Sequence, residues 1–527
     1  MTSRSTIAAI AAVVFLSAPS WAQRVLTERS YELARTQAST AAEINSNSVT
    51  DIVVNGQTIW LGTGKGLARS TDGGTTWKSY YNTPGFGTED VSAITVRGSD
   101  IWVATAHSTE DNGQSLPVGS GLHHSTDGGE TWEHFPQPVD SNKTGIDTLY
   151  YNPYSPIRAL PITTEINNIT YDIAATDSAV WITSFAGMVR TSTDKGRTWI
   201  RVIIPPDTLD SISPKDTLKF DLAPSGGRLE LKGSLNHRAF SVLAENSSTI
   251  WIGTAGGINK STDGGRSWRK FTHQNQSSPI SGNFVVALAK QPSTGILWAG
   301  TVNTSALEER GISFTSDSGA TWKTALRGEF VHGIGFNGNT VYAGTDNGLF
   351  RSTDLGTSWS RTGIIYDAAT KQRMVAPKFY SIAAQGSVMW FGSDQGIART
   401  LDDGTTPFGS SWTILRTAYP LASKTSTYAY PNPFSPDDEV VRIHYSSASA
   451  GSSVSGQAFG VTIRIFDYGM NLVRTLIQNA PRTSSREQDE IWDGRDNNNN
   501  QVANGVYFYQ VIVEKGDPVW GKIIVLQ

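Results

Sequence analysis

The sequence predicts an all-β protein: a seven-bladed β-propeller followed by a small C-terminal β-sandwich of immunoglobulin-like type. Three observations predict it. A box of the form Ser/Thr-x-Asp-x-Gly-x-Ser/Thr-Trp recurs, first as Ser70-Thr71-Asp72-Gly73-Gly74-Thr75-Thr76-Trp77, with its aspartate at Asp72, Asp127, Asp194, Asp263, Asp317 and Asp354. A seventh copy starts at Thr400-Leu401-Asp402-Asp403-Gly404 and carries five extra residues before Trp412. Three short β-rich runs precede each box and a fourth follows it, as in Phe240–Ala244, Thr249–Gly253, Gly257–Ser261 and Trp268–Phe271. Four strands repeated around a common turn are the signature of propeller blades. After Arg416 the boxes stop, and a different set of alternating strands begins near Tyr430.

The box is hairpin chemistry. An Asp carboxylate accepts backbone N–H groups across a turn, and the Gly two residues on supplies the positive φ that a tight turn needs. The Trp opens the next strand. Asp72, Asp127, Asp194, Asp263, Asp317, Asp354 and Asp402 are therefore expected to be structural rather than catalytic. Box-to-box spacings are 55, 67, 69, 54, 37 and 48 residues. The shortest is one bare blade of roughly 40 residues; the others are a blade plus an insertion. The run of boxes from Val49 to Arg416 resembles the Asp-box (BNR) repeats of sialidases, xyloglucanases, sortilin-type receptors and photosystem assembly factors. That resemblance implies boxes on the blade periphery, away from any active site.

Residues 1–22 read as a secretory signal: Arg4, the apolar run Ile7–Ala18, then Ser20-Trp21-Ala22, with cleavage after Ala22. No other run approaches the ~20 apolar residues of a membrane-spanning helix, so none is expected in the mature chain. With 51 glycines, 16 tryptophans and a net charge of −4, the composition suits a turn-rich exported β protein. There is no cysteine, hence no disulfide framework or thiolate site. No basic stripe points to nucleic acid. Residues 23–47 form a lead-in whose Glu28–Ala41 stretch is a short helix candidate.

The propeller is assigned to 48–416, with blades at 48–82, 91–135, 168–204, 239–272, 284–326, 330–362 and 379–416. Each supplies its own four strands. The second residue of each innermost strand is expected at the channel: Thr50, Ser92, Thr170, Ser241, Val286, His332 and Tyr380. A lone His332 is a packing residue rather than a metal site, which needs further ligands, and no metal or cofactor is expected. In an up-and-down blade all boxes share one face. The long insertions His107–Gly119, Pro136–Ile166, Pro205–Arg238 and Asn303–Gly311 share the other, the top, over blades two to five. Long loops on a rigid scaffold carry binding sites. His107, Tyr150, Tyr151, Tyr154, Arg158, Glu308 and Arg310 are the candidate binding residues, although the tyrosines could equally anchor their loop.

Residues 417–429 read as a linker. From 430 to 527 come the strands of a β-sandwich: Val440–Tyr445, Val461–Asp467, Val473–Gln478, Glu490–Asp493, Gly505–Val513 and Gly521–Leu526. Tyr430-Pro431-Asn432-Pro433-Phe434, Thr462–Leu476, Trp492–Asp496, Asn504–Tyr509 and Gly521–Leu526 resemble the type A C-terminal sorting domain of the type IX secretion system. That resemblance implies passage through the periplasm and outer membrane, the secretion machinery as partner, and an extracellular or surface-attached product. Asp493–Asn500 lacks the EF-hand spacing and reads as a turn-rich loop.

Two functions remain in view. A sialidase needs an arginine triad and an Arg-Ile-Pro signature ahead of the first box; the nearest string, Ile157-Arg158-Ala159-Leu160-Pro161, follows the second box and is broken. A xyloglucanase places its cleft between two propellers, and this chain has one. Carboxylates such as Glu89, Asp90, Glu165 and Glu329 are not paired by spacing as a glycosidase requires. The favoured expectation is a non-enzymatic protein recognising an extracellular protein, peptide or glycan, with a glycoside hydrolase as the alternative.

Overall fold

The computed structural model describes residues 44–527 except 112, 143–144, 226–228, 371, 375–376, 417–420, 422–425, 438, 448–457, 484–486 and 515. The expected signal segment and the Glu28–Ala41 helix lie outside the described residues. Among the described residues no helix is long and apolar enough to cross a membrane. The chain divides into two compact units, one of residues 44–363 and 377–410, the other of 364–374 and 411–527.

The first unit is a β-propeller built of antiparallel sheets in chain order. The first six have innermost strands Val49–Asn55, Asp90–Arg97, Thr170–Ala175, Ala239–Ala244, Phe284–Lys290 and Val331–Asn337; five are four-stranded and the fourth, from Ala239–Ala244, is five-stranded. The next sheet brings Phe379–Gln385, Val388–Ser393 and Gly396–Leu401. Consecutive innermost strands pack against one another, and Phe379–Gln385 returns to Val49–Asn55. Among the described residues closure uses no swapped strand. Arg399 Nη1 donates to Gly73 O at 2.7 Å, Gly396 N to Asn47 O at 2.7 Å, and Gln385 Nε2 to Gln57 O at 3.2 Å.

Every innermost strand carries a one-residue bulge near its start. The extra residues are Thr50, Ser92, Tyr171, Phe240, Val286, His332 and Tyr380. This corrects the expected channel set at two places: Tyr171 and Phe240 replace Thr170 and Ser241. A bulge shifts every later side chain to the other face, and β-branched or small neighbours gave no mark of where it falls. The axis is accordingly less polar than expected, with the Tyr171 and Phe240 rings 5.3 Å apart and Phe240 4.6 Å from Phe284.

The boxes repeat one hydrogen-bond pattern. In the first, Asp72 Oδ1 accepts Thr75 N at 3.1 Å and Thr76 N at 2.9 Å, Asp72 Oδ2 accepts Thr76 Oγ1 at 2.6 Å, and Ser70 Oγ accepts Gly74 N at 2.8 Å. These bonds, the Thr76 hydroxyl foremost, hold the Asp72 carboxyl down to about 2. The seventh copy departs from this. Asp402 is buried and turned inward, where Arg351 donates from Nε at 2.8 Å and Nη2 at 2.9 Å and the Tyr342 hydroxyl donates as well. Asp403 holds the turn instead, accepting Thr405 N at 2.9 Å and Thr406 N at 2.8 Å. The reason lies one blade back. Blade six places Tyr342 where most blades have Trp, and a buried phenol needs an acceptor.

In each of the six regular boxes one glycine rests on an aromatic ring of the preceding blade. A methyl on Gly74 would stand 2.3 Å from the Trp390 ring, on Gly129 2.3 Å from Trp60, on Gly196 2.7 Å from Trp102, on Gly265 2.6 Å from Trp181, and on Gly356 2.7 Å from Trp298. Over several of these rings lies a cation from the third strand that also reaches the next box. Arg69 sits 5.6 Å above Trp60 and donates to Gly128 O at 2.7 Å; Arg399 sits 5.0 Å above Trp390 and donates to Gly73 O at 2.7 Å. Lys260 does the same between Trp251, at 4.6 Å, and Ser318 O, at 3.3 Å.

The two longest connections fold together. Asp147–Tyr150 and Pro156–Ala159 form a hairpin, and Asp221–Leu222 pairs in parallel with the latter strand. Ser211–Ile212 adds a fifth strand outside Trp268–Phe271. Ile157, Ala159, Ile204, Ile212 and Leu222 are buried in their shared core. Arg190 pairs with Asp140 at 3.0 Å and Arg201 with Asp147 at 2.6 Å.

The second unit is a β-sandwich of two antiparallel sheets, one of Thr427–Tyr430, Val441–Ser446 and Glu487–Trp492, the other of Leu472–Thr483, Ala458–Phe466, Gly505–Val513 and Val519–Val525. Trp492, Tyr445, Tyr509 and Phe434 are buried between them. Thr427–Tyr430 is thus a strand where a linker was expected to run to residue 429. The hairpin Ile365–Asp367 with Gln372–Met374 belongs to this unit too, and Asp367 Oδ2 accepts Ile414 N at 3.0 Å. His444 lies in the smaller sheet, with Nε2 2.7 Å from Glu487 and Nδ1 3.0 Å from Asp489. Burial alone would lower its pKa, but the bonds to Asp489 and Glu487 outweigh it and raise it to about 9.

Candidate functional site

The candidate site grows from the turn Tyr151-Asn152-Pro153-Tyr154-Ser155, which closes the outer hairpin. Tyr150 pairs with Pro156 across it. An Asn before Pro favours a turn, because its side chain can bond backbone two residues on. Here Asn152 Oδ1 accepts Tyr154 N at 2.8 Å. Its Nδ2 donates to Asp216 O at 2.8 Å and Pro214 O at 3.1 Å, and Ser155 Oγ donates to Asp216 O at 3.1 Å while accepting Leu218 N at 2.9 Å. Two turn residues are therefore clamped to the 214–218 segment.

Tyr151 supplies a third anchor. Its hydroxyl donates to the backbone oxygen of Arg266, inside the fourth box. Burial first, and the charges of Asp263 and Asp216 second, push its pKa well above the usual phenol range. This contact corrects the expected position of the hairpin. Pro136–Ile166 leaves from the top face, but its tip runs down the outer wall and ends against the box face. The tyrosines divide by role. Tyr151 anchors the turn, whereas Tyr150 and Tyr154 are 68% and 81% exposed on the clamped tip. Arg158 sits further up the hairpin, with its Nε 3.6 Å from Asp221.

The remaining candidates are not brought to this place. His107, in the long hairpin of blade two, has Nδ1 2.8 Å from Ser120 Oγ and 2.9 Å from Glu89, and Ser120 Oγ donates to the same Glu89 oxygen at 2.6 Å. Both partners face one imidazole nitrogen, so no proton relay runs through the ring. Glu308 is corrected as a binding residue. It is 5% exposed and accepts Thr304 N at 2.8 Å, Asn283 N at 3.0 Å, Asn283 Nδ2 at 2.7 Å and Gln274 Nε2 at 3.0 Å. Burial works to raise its pKa, but these bonds win and lower it, so it is the internal tie of its loop. Arg310 Nε donates to Gly328 O at 2.6 Å and stays exposed.

A cavity of about 160 Å³ lies on the ring axis, with Asp51, Tyr171, Asp172 and Tyr380 on its wall. Asp51 accepts Ile94 N at 3.0 Å and Asp172 accepts Val242 N at 2.9 Å, so each ties its strand to the next blade. His332 Nε2 is 2.8 Å from Asp346, which is 3.3 Å from Lys378. Among the described residues no group of three or more His, Asp or Glu is placed to hold a metal ion.

Sequence reasoning missed Asn152, Ser155 and Asp216 as the clamp. The Asn-Pro pair carried a signal for the first; Asp216 contributes only a backbone oxygen, which no side-chain pattern marks.

No family model and no curated protein matches the chain. Among solved structures it is similar to YCF48 bound to D1 peptide, at 16% identity over 70% of this chain and 99% of that one, with a TM-score of 0.40. It is similar to YCF48 from Cyanidioschyzon merolae at 16% identity over 70% of this chain and 100% of that one, with a TM-score of 0.41. It is similar to the GH74 enzyme of Niastella koreensis at 14% identity over 92% of this chain and 74% of that one, with a TM-score of 0.47. At these scores the likenesses carry no argument about function, and the all-β propeller stands on the chain's own sheets.

Proposed function

We propose that this chain is an exported, non-enzymatic propeller that recognises an extracellular protein, peptide or glycan through the clamped tyrosine turn of its outer hairpin. The observation that carries this reading is the pairing of exposure with immobility: Tyr150 and Tyr154 project from a turn tied down by Asn152, Ser155 and Tyr151. A phenol offers a broad apolar face and a polar tip at small entropic cost. A turn ordered in advance leaves little further ordering to oppose binding. Residues 430–527 fit an address for type IX secretion, consistent with the motifs quoted above.

A hydrolase is less well supported. Asp51 and Asp172 share the axial cavity, but both are engaged with backbone amides of the neighbouring blade. The test is a double Tyr150→Ala/Tyr154→Ala variant screened on peptide and glycan arrays beside the unaltered chain. Loss of capture with unchanged thermal unfolding is expected; equal capture refutes the reading. Turnover of a polysaccharide or sialoside, abolished by a carboxylate-to-amide change, would establish the hydrolase instead.

A further inference from the structure

The seam between blades two and three lacks the cation bridge of the seam before it. At the preceding seam Arg69 covers Trp60 and bonds Gly128 O of the next box. The register puts His124 opposite Trp102, as Arg69 is opposite Trp60. Its ring stacks on the indole at 3.9 Å and 12°, but an imidazole is too short to reach the next box, and its Nε2 turns 2.5 Å from Asp100 instead. The seam opens into a cavity of about 650 Å³ lined by Arg97, Asp100, His124, Asp177 and Lys195. Arg97 and Asp177 pair across it at 2.8 Å, from blade two to blade three. Lys195 occupies the left-handed position, φ 60°, that glycine fills in the boxes of blades one, two and four, and it has no partner among the described residues.

The volume lies within the ~300–1,000 Å³ range of ligand sites and corresponds to about twenty waters at ~30 Å³ each. That is room for two sugar rings. Two carboxylates and two cations line it, so their formal charges cancel and a strongly charged ligand gains no net attraction. Carboxylates accept from hydroxyls, and guanidinium and ammonium donate to them. We propose that this seam is a binding site for a neutral disaccharide unit, separate from the tyrosine turn and sharing no residue with it. Sugar hydroxyls donate to Asp100 and Asp177 and accept from Lys195 and Arg97, displacing the exposed Arg97–Asp177 contact.

The test uses the full mature chain, with cellobiose, maltose and lactose as probes followed by saturation-transfer NMR and calorimetry. His124→Arg restores the bridge seen at the neighbouring seam and fills the cavity. It is expected to abolish binding while thermal unfolding stays equal or rises. Asp177→Asn, at an exposed position, is expected to weaken binding tenfold or more. Tyr150→Ala/Tyr154→Ala is expected to leave it unchanged. The inference is overturned if none of the three sugars binds at millimolar concentration, if only a uronate-bearing analogue binds, or if binding survives His124→Arg. Loss in the tyrosine variant but not in His124→Arg assigns the sugar to the hairpin and also overturns it.

Discussion

Asp402 and Asp403 are adjacent carboxylates with different work, and substitution separates them. Asp402 is buried against Arg351 and Tyr342, so its removal strands a guanidinium and a phenol. Because Arg351 keeps 20% of its side chain exposed, Asp402→Ala is expected to cost about 2–3 kcal/mol, less than a fully buried pair. Asp403→Ala, in an exposed turn, should lower the melting temperature less; thermal unfolding of both variants decides it. Titration gives opposite signs for the box carboxylates and for His444. Box carboxylates such as Asp72, Asp194 and Asp317 are depressed to about 2, chiefly by the following Thr hydroxyl. Their contribution to propeller stability is therefore present above about pH 4 and is lost as pH falls towards 2. His444 is raised to about 9, so its contribution to the C-terminal sandwich is complete below about pH 6.5 and is lost as pH climbs through 9. Unfolding of the sandwich followed from pH 6 to 10 should show that loss, and His444→Gln should flatten it.

At the scale of the element, the box is half of a joint between blades. Gly128 and Gly129 are both left-handed, at φ 74° and 87°, yet only Gly129 lies under a ring. Gly128→Ala is expected to cost about 1 kcal/mol for the backbone alone. Gly129→Ala should add a further ~1–3 kcal/mol of overpacking against Trp60; a chemical-denaturation pair measures the difference. The blades themselves were legible from the sequence because one turn chemistry recurs in register. The hairpin was not. Its string of tyrosines could be read, but its destination is the Arg266 carbonyl in another blade, and a carbonyl has no sequence signature. Glu308 was misread for a related reason. A glutamate on a loop looks exposed until the partners that bury it, Asn283 and Gln274, arrive from a separate segment. The bulges escaped as well, since nothing in Thr170-Tyr171 or Phe240-Ser241 says which residue is the extra one.

At the scale of the molecule, the two compact units divide the labour in the proposed reading: the propeller recognises and the sandwich carries an address. A chain ending at residue 426 is expected to reach the periplasm and stay there, while the full chain passes outward; fractionation and immunoblotting distinguish the two. The glycine-on-ring seam also bears on how such a chain grows by repetition. A blade copied whole, from its first strand to its fourth, brings a box that must fit its new predecessor's ring and a ring that must fit its new successor's box. The two parts that must match, a ring and the following box, straddle two blades. The Tyr342–Asp402 pair shows the rule from the other side: where the ring changed, the box that answers it sits in the next repeat, not its own.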